Sequence, residues 1–280
     1  MCSLNGQAGK GDRPRPFDRK KFSEGYDRAF SKQATALIDG DIEVYKAACK
    51  GQQDLGELGK HVDLDRAKAN LDTRLQTIKE ACGASSIVIA LSCKTRRYWR
   101  HNIEPTYKSH RRTSGERPVL LGVLAEYLCK QYDVKFLTEL EADDIVGIMA
   151  TNGKYKNPVV VSTDKDLKQI PGCHLNPDKI DRGTFWVDKE SADRYHMFQT
   201  LVGDVVDGYS GCPRVGPVTA TKILNVAEKD MWAAVVAAFI RAGKTEQDAL
   251  VQARIARILR AEDWDAEKKE PKLWTPTSGQ

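Results

Sequence analysis

From Ala34 to Asp39 the chain reads Ala-Thr-Ala-Leu-Ile-Asp, a brief apolar run closed by Asp-Gly-Asp, a pattern that predicts a buried strand ending in a turn. Between Asp63 and Cys82 the apolar positions 64, 67, 71, 75, 78 and 82 recur at the spacing of one helical face. Residues 86–92 (SIVIALS) then read as a second strand, 119–130 as a helix, 134–137 as a third strand, 141–151 as a helix and 158–162 as a fourth strand. Strands alternating with helices predict an α/β fold with a mostly parallel sheet flanked by helices, and ligands in such sheets sit beyond the carboxyl ends of the strands. Past about residue 200 the strand signals stop, and 218–226, 230–242 and 246–260 carry helical patterns, a small helical module. Residues 1–30 mix Gly, Pro and charge without periodicity and are expected to form a flexible arm; the last fifteen residues, with Pro271 and Pro276, are expected to be a loose tail.

A chain of 280 residues with 41% hydrophobic residues can bury a substantial core. Its net charge of +5 says little about partners, but the charges fall in blocks. Residues 94–117 hold eight lysines and arginines against Glu104 and Glu116. The carboxylates bunch farther along, at Glu139 to Asp144, at Asp164 and Asp166, and at Asp204 and Asp207. The seven cysteines stand singly, which suggests neither a disulfide framework nor a zinc finger and fits a reducing, cytoplasmic setting. Apolar runs are short and broken by charge, so neither a membrane span nor a secretory signal is expected.

The acids carry the chemistry. Glu141, Asp143 and Asp144 precede the apolar helical positions Ile145, Val146, Ile148 and Met149, so they occupy a first helical turn, where the helix dipole favours negative charge. Capping explains one or two acids there; three in four residues repel one another, and a cation offsets that repulsion. Asp164 and Asp166 lie just beyond an apolar strand, as Asp39 does beyond the first. Asp204 and Asp207 share one side of a helical turn, although a turn with solvated acids explains that segment alone equally well. Together these groups predict an all-oxygen site for hard cations rather than zinc, and two magnesium or manganese ions roughly 4 Å apart would activate water and stabilise a leaving oxygen on phosphate.

Tyr98, Trp99 and Tyr107 alternate with Arg96, Arg97, Arg100, Lys108, Arg111 and Arg112, a mixture suited to stacking on bases while neutralising phosphates; a solvated amphipathic helix is the plainer alternative. From Gly208 to Lys222, glycines open a turn ahead of a helix, whose exposed N–H groups can hold duplex phosphates without reading sequence, with Lys222 one turn farther in. The Gly-x4-Gly spacing of Gly211 and Gly216 is also compatible with an ordinary helix-to-helix connection.

The order of LIDGD (37–41), PTYKSHRR (105–112), LEADDIVGIMA (140–150), VVVSTDKDLKQIPG (159–172) and GDVVDGYSGCPRVGPVTATKIL (203–224) resembles the 5' nuclease superfamily of flap endonucleases and 5'-3' exonucleases, the phage exonucleases above all. The resemblance implies a PIN-like nuclease domain at 31–200 with an arch at about 93–117, a helix-three-turn-helix DNA-binding module at 201–265 and a tail at 266–280. It implies two divalent ions, Mg2+ or Mn2+, held by Asp39, Glu141, Asp143, Asp144, Asp164, Asp166, Asp204 and Asp207. Lys108 and Arg111 are the implied catalytic contacts to the scissile phosphate, with Tyr107, Arg112, Gly211, Gly216 and Lys222 as further DNA-binding residues and, in some relatives, a K+ ion at the glycine turn. The implied substrate is DNA with 5' ends, extending to RNA-DNA hybrids, in phage DNA degradation and replication inside a bacterial host. One departure stands out: family members usually carry an Asp just after the second strand, where this chain has Ser92-Cys93-Lys94. Two other classes remain open, a DNA-end-binding protein of weak or no catalysis and a phosphohydrolase of small molecules. The basic-aromatic segment and the glycine turn weigh against the latter, since a small substrate requires neither.

Overall fold

All six residues of β1 (Ala34–Asp39) are buried, so the strand shows no alternation of inside and outside and must lie within a sheet covered on both faces. The structure, a computed structural model, describes residues 34–54, 60–109, 117–227 and 230–276. The expected arm at 1–30, and Arg111 and Arg112, lie outside the described residues. The main sheet has the order β5–β4–β1–β6–β7–β8. Its strands are β4 (Ala84–Ala90), β5 (Asp133–Lys135), β6 (Pro158–Val161), β7 (Gly172–Leu175) and β8 (Phe185–Val187), besides β1. Every pair is parallel except β7–β8, which is antiparallel. A hairpin of β2 (Gln52–Asp54) and β3 (Lys60–Val62) stands apart from it.

Side-chain period decides what covers each face. Ile38, Ile89, Val159 and Val161 point to one side, against Val44 of α1 (Gly40–Lys50), Leu71 and Leu75 of α2 (Leu64–Ala81), and Leu124 and Leu128 of α3 (Leu121–Gln131). Leu37, Val88 and Val160 point to the other, against Ile145, Val146 and Met149 of α4 (Ala142–Thr151). The predicted strands and helices of this half are all present, with ends shifted by a few residues.

Five features differ from the sequence expectations, each for a tertiary reason. Asp-Gly-Asp is not a turn: Asp39 is the N-cap of α1, and a Cβ on Gly40 would come within 2.5 Å of Ile89 Cγ2 and 2.8 Å of the Ala90 carbonyl, so helix and neighbouring strand meet where only glycine fits. The strands β7 and β8 and the helix α5 (Lys189–Val202) carried no strong periodic signal. Helical packing begins with α5 rather than at 201, because Met197 and Leu201 join Leu224 of α6 (Pro217–Val226), Val235 and Phe239 of α7 (Met231–Arg241), and Ala249 of α8 (Glu246–Ala256) in a second core.

The fourth difference is the return of the chain after α8. That helix stops short of residue 260 because Arg257 turns to extended backbone (φ −66°, ψ 123°), and the segment runs back to bury Ile258 and Leu259 against α4 and the sheet. Arg260 donates to the Gln169 carbonyl through Nε at 3.0 Å and Nη2 at 2.6 Å, and to Asp193 Oδ1 through Nη1 at 2.6 Å. Nor is the following stretch loose: β9 (Trp264–Asp265) pairs with β10 (Glu270–Pro271), and Trp274 packs edge-on at 5.1 Å to both His196 and Trp232. Among the described residues no helix is long and apolar enough to cross a membrane.

The returning segment passes so close to α4 that a Cβ on Gly147 would lie 2.2 Å from the Leu259 carbonyl oxygen. Backbone cannot move aside as a flexible side chain can. Gly147→Ala is therefore expected to cost about 1–3 kcal/mol of stability by overpacking, despite alanine's better helix propensity. Denaturant titration of the two proteins checks this, and an unchanged midpoint would show that the close approach is absent.

Candidate active site at the carboxyl ends of the strands

Parallel strands deliver their C-terminal residues to one edge of the sheet. Asp39 ends β1 and Asp164 follows β6, and the two are linked through Ser162, whose hydroxyl donates to Asp39 Oδ2 at 3.1 Å and accepts the Asp164 N–H at 3.0 Å. Asp164 in turn caps a 3-10 turn, its Oδ1 accepting the Asp166 N–H at 2.9 Å. The N-terminus of α4 brings Glu141 and Asp143 to the same place. Asp39, Glu141, Asp143 and Asp164 share the wall of an open cleft of 740 Å³, with Lys94 and Arg96 at its margin.

The second group lies next to the first. Asp204 accepts the N–H of Val206 at 2.7 Å and the Lys165 ammonium at 3.2 Å, which fixes the loop after α5. That loop closes tightly, since a Cβ on Gly203 (φ +72°) would meet Ser210 backbone at 2.5 Å. Asp207 accepts from the Tyr107 hydroxyl at 3.1 Å and pairs with Lys108 Nζ at 3.3 Å. Lys108 sits in the left-handed region at φ 53°, donates its N–H to the Asp207 carbonyl at 2.9 Å, and its ammonium reaches Glu141 Oε1 at 2.5 Å. Lys108 thus bridges the two acid groups.

Crowding sets the protonation of these acids. Burial and then the charge of Asp41 raise Asp39 to about 7, while burial and then the charge of Asp164 raise Asp166 to about 7. Asp143 is pushed well above the carboxylate range by burial and by Glu141 and Asp144. Glu141 goes the other way: burial opposes its charge, but Lys108 and Arg100 outweigh it and hold the group below its usual value. Asp166 Oδ1 is buried and has no hydrogen-bond partner among the described residues. A carboxylate oxygen left so costs free energy unless a cation takes it.

Several expected roles change once the side chains are placed. Asp144 lies within 4.8 Å of ligand atoms of Glu141 and Asp143, yet it is fully buried. Its Oδ1 accepts from Arg100 Nη2 at 2.9 Å and the Leu259 N–H at 3.1 Å, and its Oδ2 from Arg100 Nη1 at 2.7 Å and Trp99 Nε1 at 2.9 Å. All its lone pairs are taken, so its work is to hold Arg100 rather than a metal. Trp99, Arg100 and Tyr107 are 1–2% exposed, so none of them is free to stack on a base or meet a phosphate; they are core residues under the acids. Tyr107 positions the site instead, its hydroxyl bonding Glu141 at 3.0 Å as well as Asp207. Gly211 is also buried, with its N–H donated to Gln252 Oε1 at 2.8 Å, and is not a phosphate contact. Gly216, the N-cap of α6, and Lys222, farther along that helix, are both exposed. Sequence reasoning missed Ser162 and Ser92 as links between acids; a lone serine beside a strand end carries no signal that distinguishes it from any loop serine.

Three comparisons bear on what this arrangement is. A family model described as the 5'-3' exonuclease N-terminal resolvase-like domain matches residues 34–191. The chain is 31% identical to the exodeoxyribonuclease of Enterobacteria phage T3, over 94% of this chain and 99% of the relative, and 30% identical to the exonuclease of Escherichia phage T7, over 93% and 99%. Among solved structures, the flap endonuclease of bacteriophage T5, in a complex with DNA and metal ions, superposes with a TM-score of 0.56 at 13% identity, over 80% of this chain and 88% of that one.

Two measurements test the electrostatics described above. Arg100→Leu leaves Asp144 and Glu141 buried without their counter-charge and is expected to cost about 3–5 kcal/mol; a loss under about 1 kcal/mol in denaturant titration would show the pair to be dispensable. For Asp39 and Asp166 the folded state holds protons that the unfolded chain releases near pH 4, so their stabilisation is present below that pH and is lost as pH rises through about 7. The buried His174 and His196, held neutral by burial down to about 4 and about 3, act in the opposite sense, but most of that effect is gained below about 6.5. Kept free of divalent cations, the protein should therefore lose melting temperature between about pH 6.5 and 7.5, and Asp166→Asn should flatten that fall.

Proposed function

Because the chain belongs to the 5'-3' exonuclease family, we propose that it is a divalent-cation-dependent nuclease that hydrolyses DNA phosphodiester bonds starting from 5' ends. The observation that carries the mechanism is the gathering of seven carboxylates from four separate stretches of chain: Asp39, Glu141, Asp143 and Asp164 line one cleft, and Asp166, which feels the charges of Asp164, Asp204 and Asp207, has a buried oxygen without a hydrogen-bond partner among the described residues. The acids fall into two adjoining sets. Asp39, Glu141 and Asp143 form one and Asp166, Asp204 and Asp207 the other, with Asp164 between them, an arrangement that fits two hard cations of the magnesium or manganese type. When bound, such ions supply a water activated at neutral pH and charge stabilisation for the attacking and leaving oxygens.

The remaining residues orient substrate. Lys94, Arg96 and Arg117 line the cleft and offer positive charge to a backbone entering it. Lys108, seated between Glu141 and Asp207, is the cation within reach of a phosphate lodged among the acids, and its strained backbone keeps it there. At Gly216 the first turn of α6 presents backbone N–H groups with open space around them, and Lys222 follows one turn later; together they suit the phosphates of duplex DNA behind the cut. Arg111 and Arg112 belong to the same proposal on sequence grounds alone. RNA-DNA hybrids are included as substrates by the family resemblance, since contacts of this kind address the backbone rather than the bases. The similarity to phage exonucleases also supports action on DNA in the cytoplasm of a bacterial host.

Digestion of 5'-labelled and 3'-labelled duplex DNA tests the reading. With magnesium the 5' label should be released first, EDTA should stop release, and Asp164→Ala/Asp166→Ala should lower the rate by on the order of a hundredfold or more. Tight DNA binding with no cleavage in magnesium or manganese would overturn catalysis in favour of an end-binding protein.

A further inference from the structure

Three neighbouring parallel strands, β4, β1 and β6, end side by side at the cleft, with Asp39 opposite Ala90 and Ile38 opposite Val161. Two of the three present an acid there, Asp39 and Asp164. After β4 the chain continues Leu91-Ser92-Cys93, and that flank of the cleft receives no carboxylate from its own strand. A carboxylate nevertheless stands there. Asp41, in the first turn of α1, has an Oδ1 that accepts the Ser92 N–H at 3.3 Å, and the Ser92 hydroxyl bonds the same carboxylate. That hydroxyl also accepts the Ala142 N–H at 2.9 Å, so Ser92 couples Asp41 to the turn that carries Glu141 and Asp143.

We propose that Asp41 is a further carboxylate of the cation site, supplied from α1 to the flank where β4 ends without an acid and held in place by Ser92. This rests on the nuclease reading above.

A helix-capping role does not account for the placement. An acid in a first turn gains from the helix dipole wherever its side chain points, so the dipole does not direct it toward other acids. Asp41, although exposed, lies on the wall of the open cleft with Asp39, Glu141, Asp143 and Asp164. The charges of Asp41 and Asp39 disfavour each other, and Glu141 adds to the repulsion on Asp41. Arg96, exposed at the margin, opposes it only in part. A divalent cation shared by these oxygens offsets the repulsion directly.

The test is manganese binding to the DNA-free protein, followed by electron paramagnetic resonance, for Asp41→Asn, Ser92→Ala, Asp41→Asn/Ser92→Asp and Asp164→Ala/Asp166→Ala. Asp41→Asn keeps shape and hydrogen bonding while removing charge, so its thermal melt without metal should be unchanged or higher. Its manganese affinity is expected to fall at least about tenfold, and Ser92→Ala to give a smaller loss. Placing an acid at the end of β4 instead, in Asp41→Asn/Ser92→Asp, should recover most of the lost affinity, which a merely structural Asp41 would not allow. Wild-type affinity in Asp41→Asn, with weakened binding in Asp164→Ala/Asp166→Ala, overturns this proposal and leaves the nuclease reading intact. Wild-type affinity in both variants overturns the two together.

Discussion

The guanidinium of Arg100 is enclosed beneath the acids, 4.6 Å from the Trp99 ring and 5.7 Å from that of Tyr107, and its nitrogens join stretches of chain remote in sequence. Nε and Nη2 donate to the carbonyls of Ile255 at 2.9 Å and Arg257 at 2.6 Å, while Nη1 and Nη2 hold Asp144 and Nη1 also reaches Glu141 at 2.8 Å. Burial opposes the charge, but Asp144 and Glu141 keep the group ionised. One buried side chain thus connects the segment after β4, the first turn of α4 and the end of the helical module. An unpaired buried charge is so unfavourable that these three parts must come together or not at all.

That constraint explains how a site this acidic is held in shape. Ionised carboxylates drive one another apart, and a loop carrying them would splay without opposing ties. Here the ties come from beneath the acids and, through Lys108, from within the cleft itself. Asp144 anchors Arg100, Tyr107 spans Glu141 and Asp207, and Lys108 bridges the same two acids through its ammonium. On the far side, Arg260 clasps Gln169 at the end of the turn that begins with Asp164 and Asp166. The C-terminal segment, although distant from any reacting group, therefore braces the acid loop from behind.

The same arrangement clarifies why aromatic and basic residues interleave between 94 and 108. The pattern has the composition of a nucleic-acid-binding surface, yet half of it faces inward. Trp99, Arg100 and Tyr107 pack under the site while Lys94 and Arg96 stay exposed on the cleft wall, so positive charge reaches the cleft from residues that composition alone does not separate from the buried ones.

What the sequence determined by itself is the parallel α/β core, the helical end of the chain and the acids at strand ends, because each depends on a local period or on the covalent order of strand, turn and carboxylate. The strands β7 and β8 and the helix α5 were not legible, since their partners rather than their own periodicity make them what they are. The division of labour among the acids was likewise decided only in three dimensions. Asp143 and Asp144 are adjacent and chemically alike, but a step of one residue along a helix rotates the side chain by about 100 degrees. One therefore faces the cleft and the other Arg100. Asp41 and Ser92, 51 positions apart, meet only because β1 and β4 pair in parallel, and no pattern along the chain records that contact.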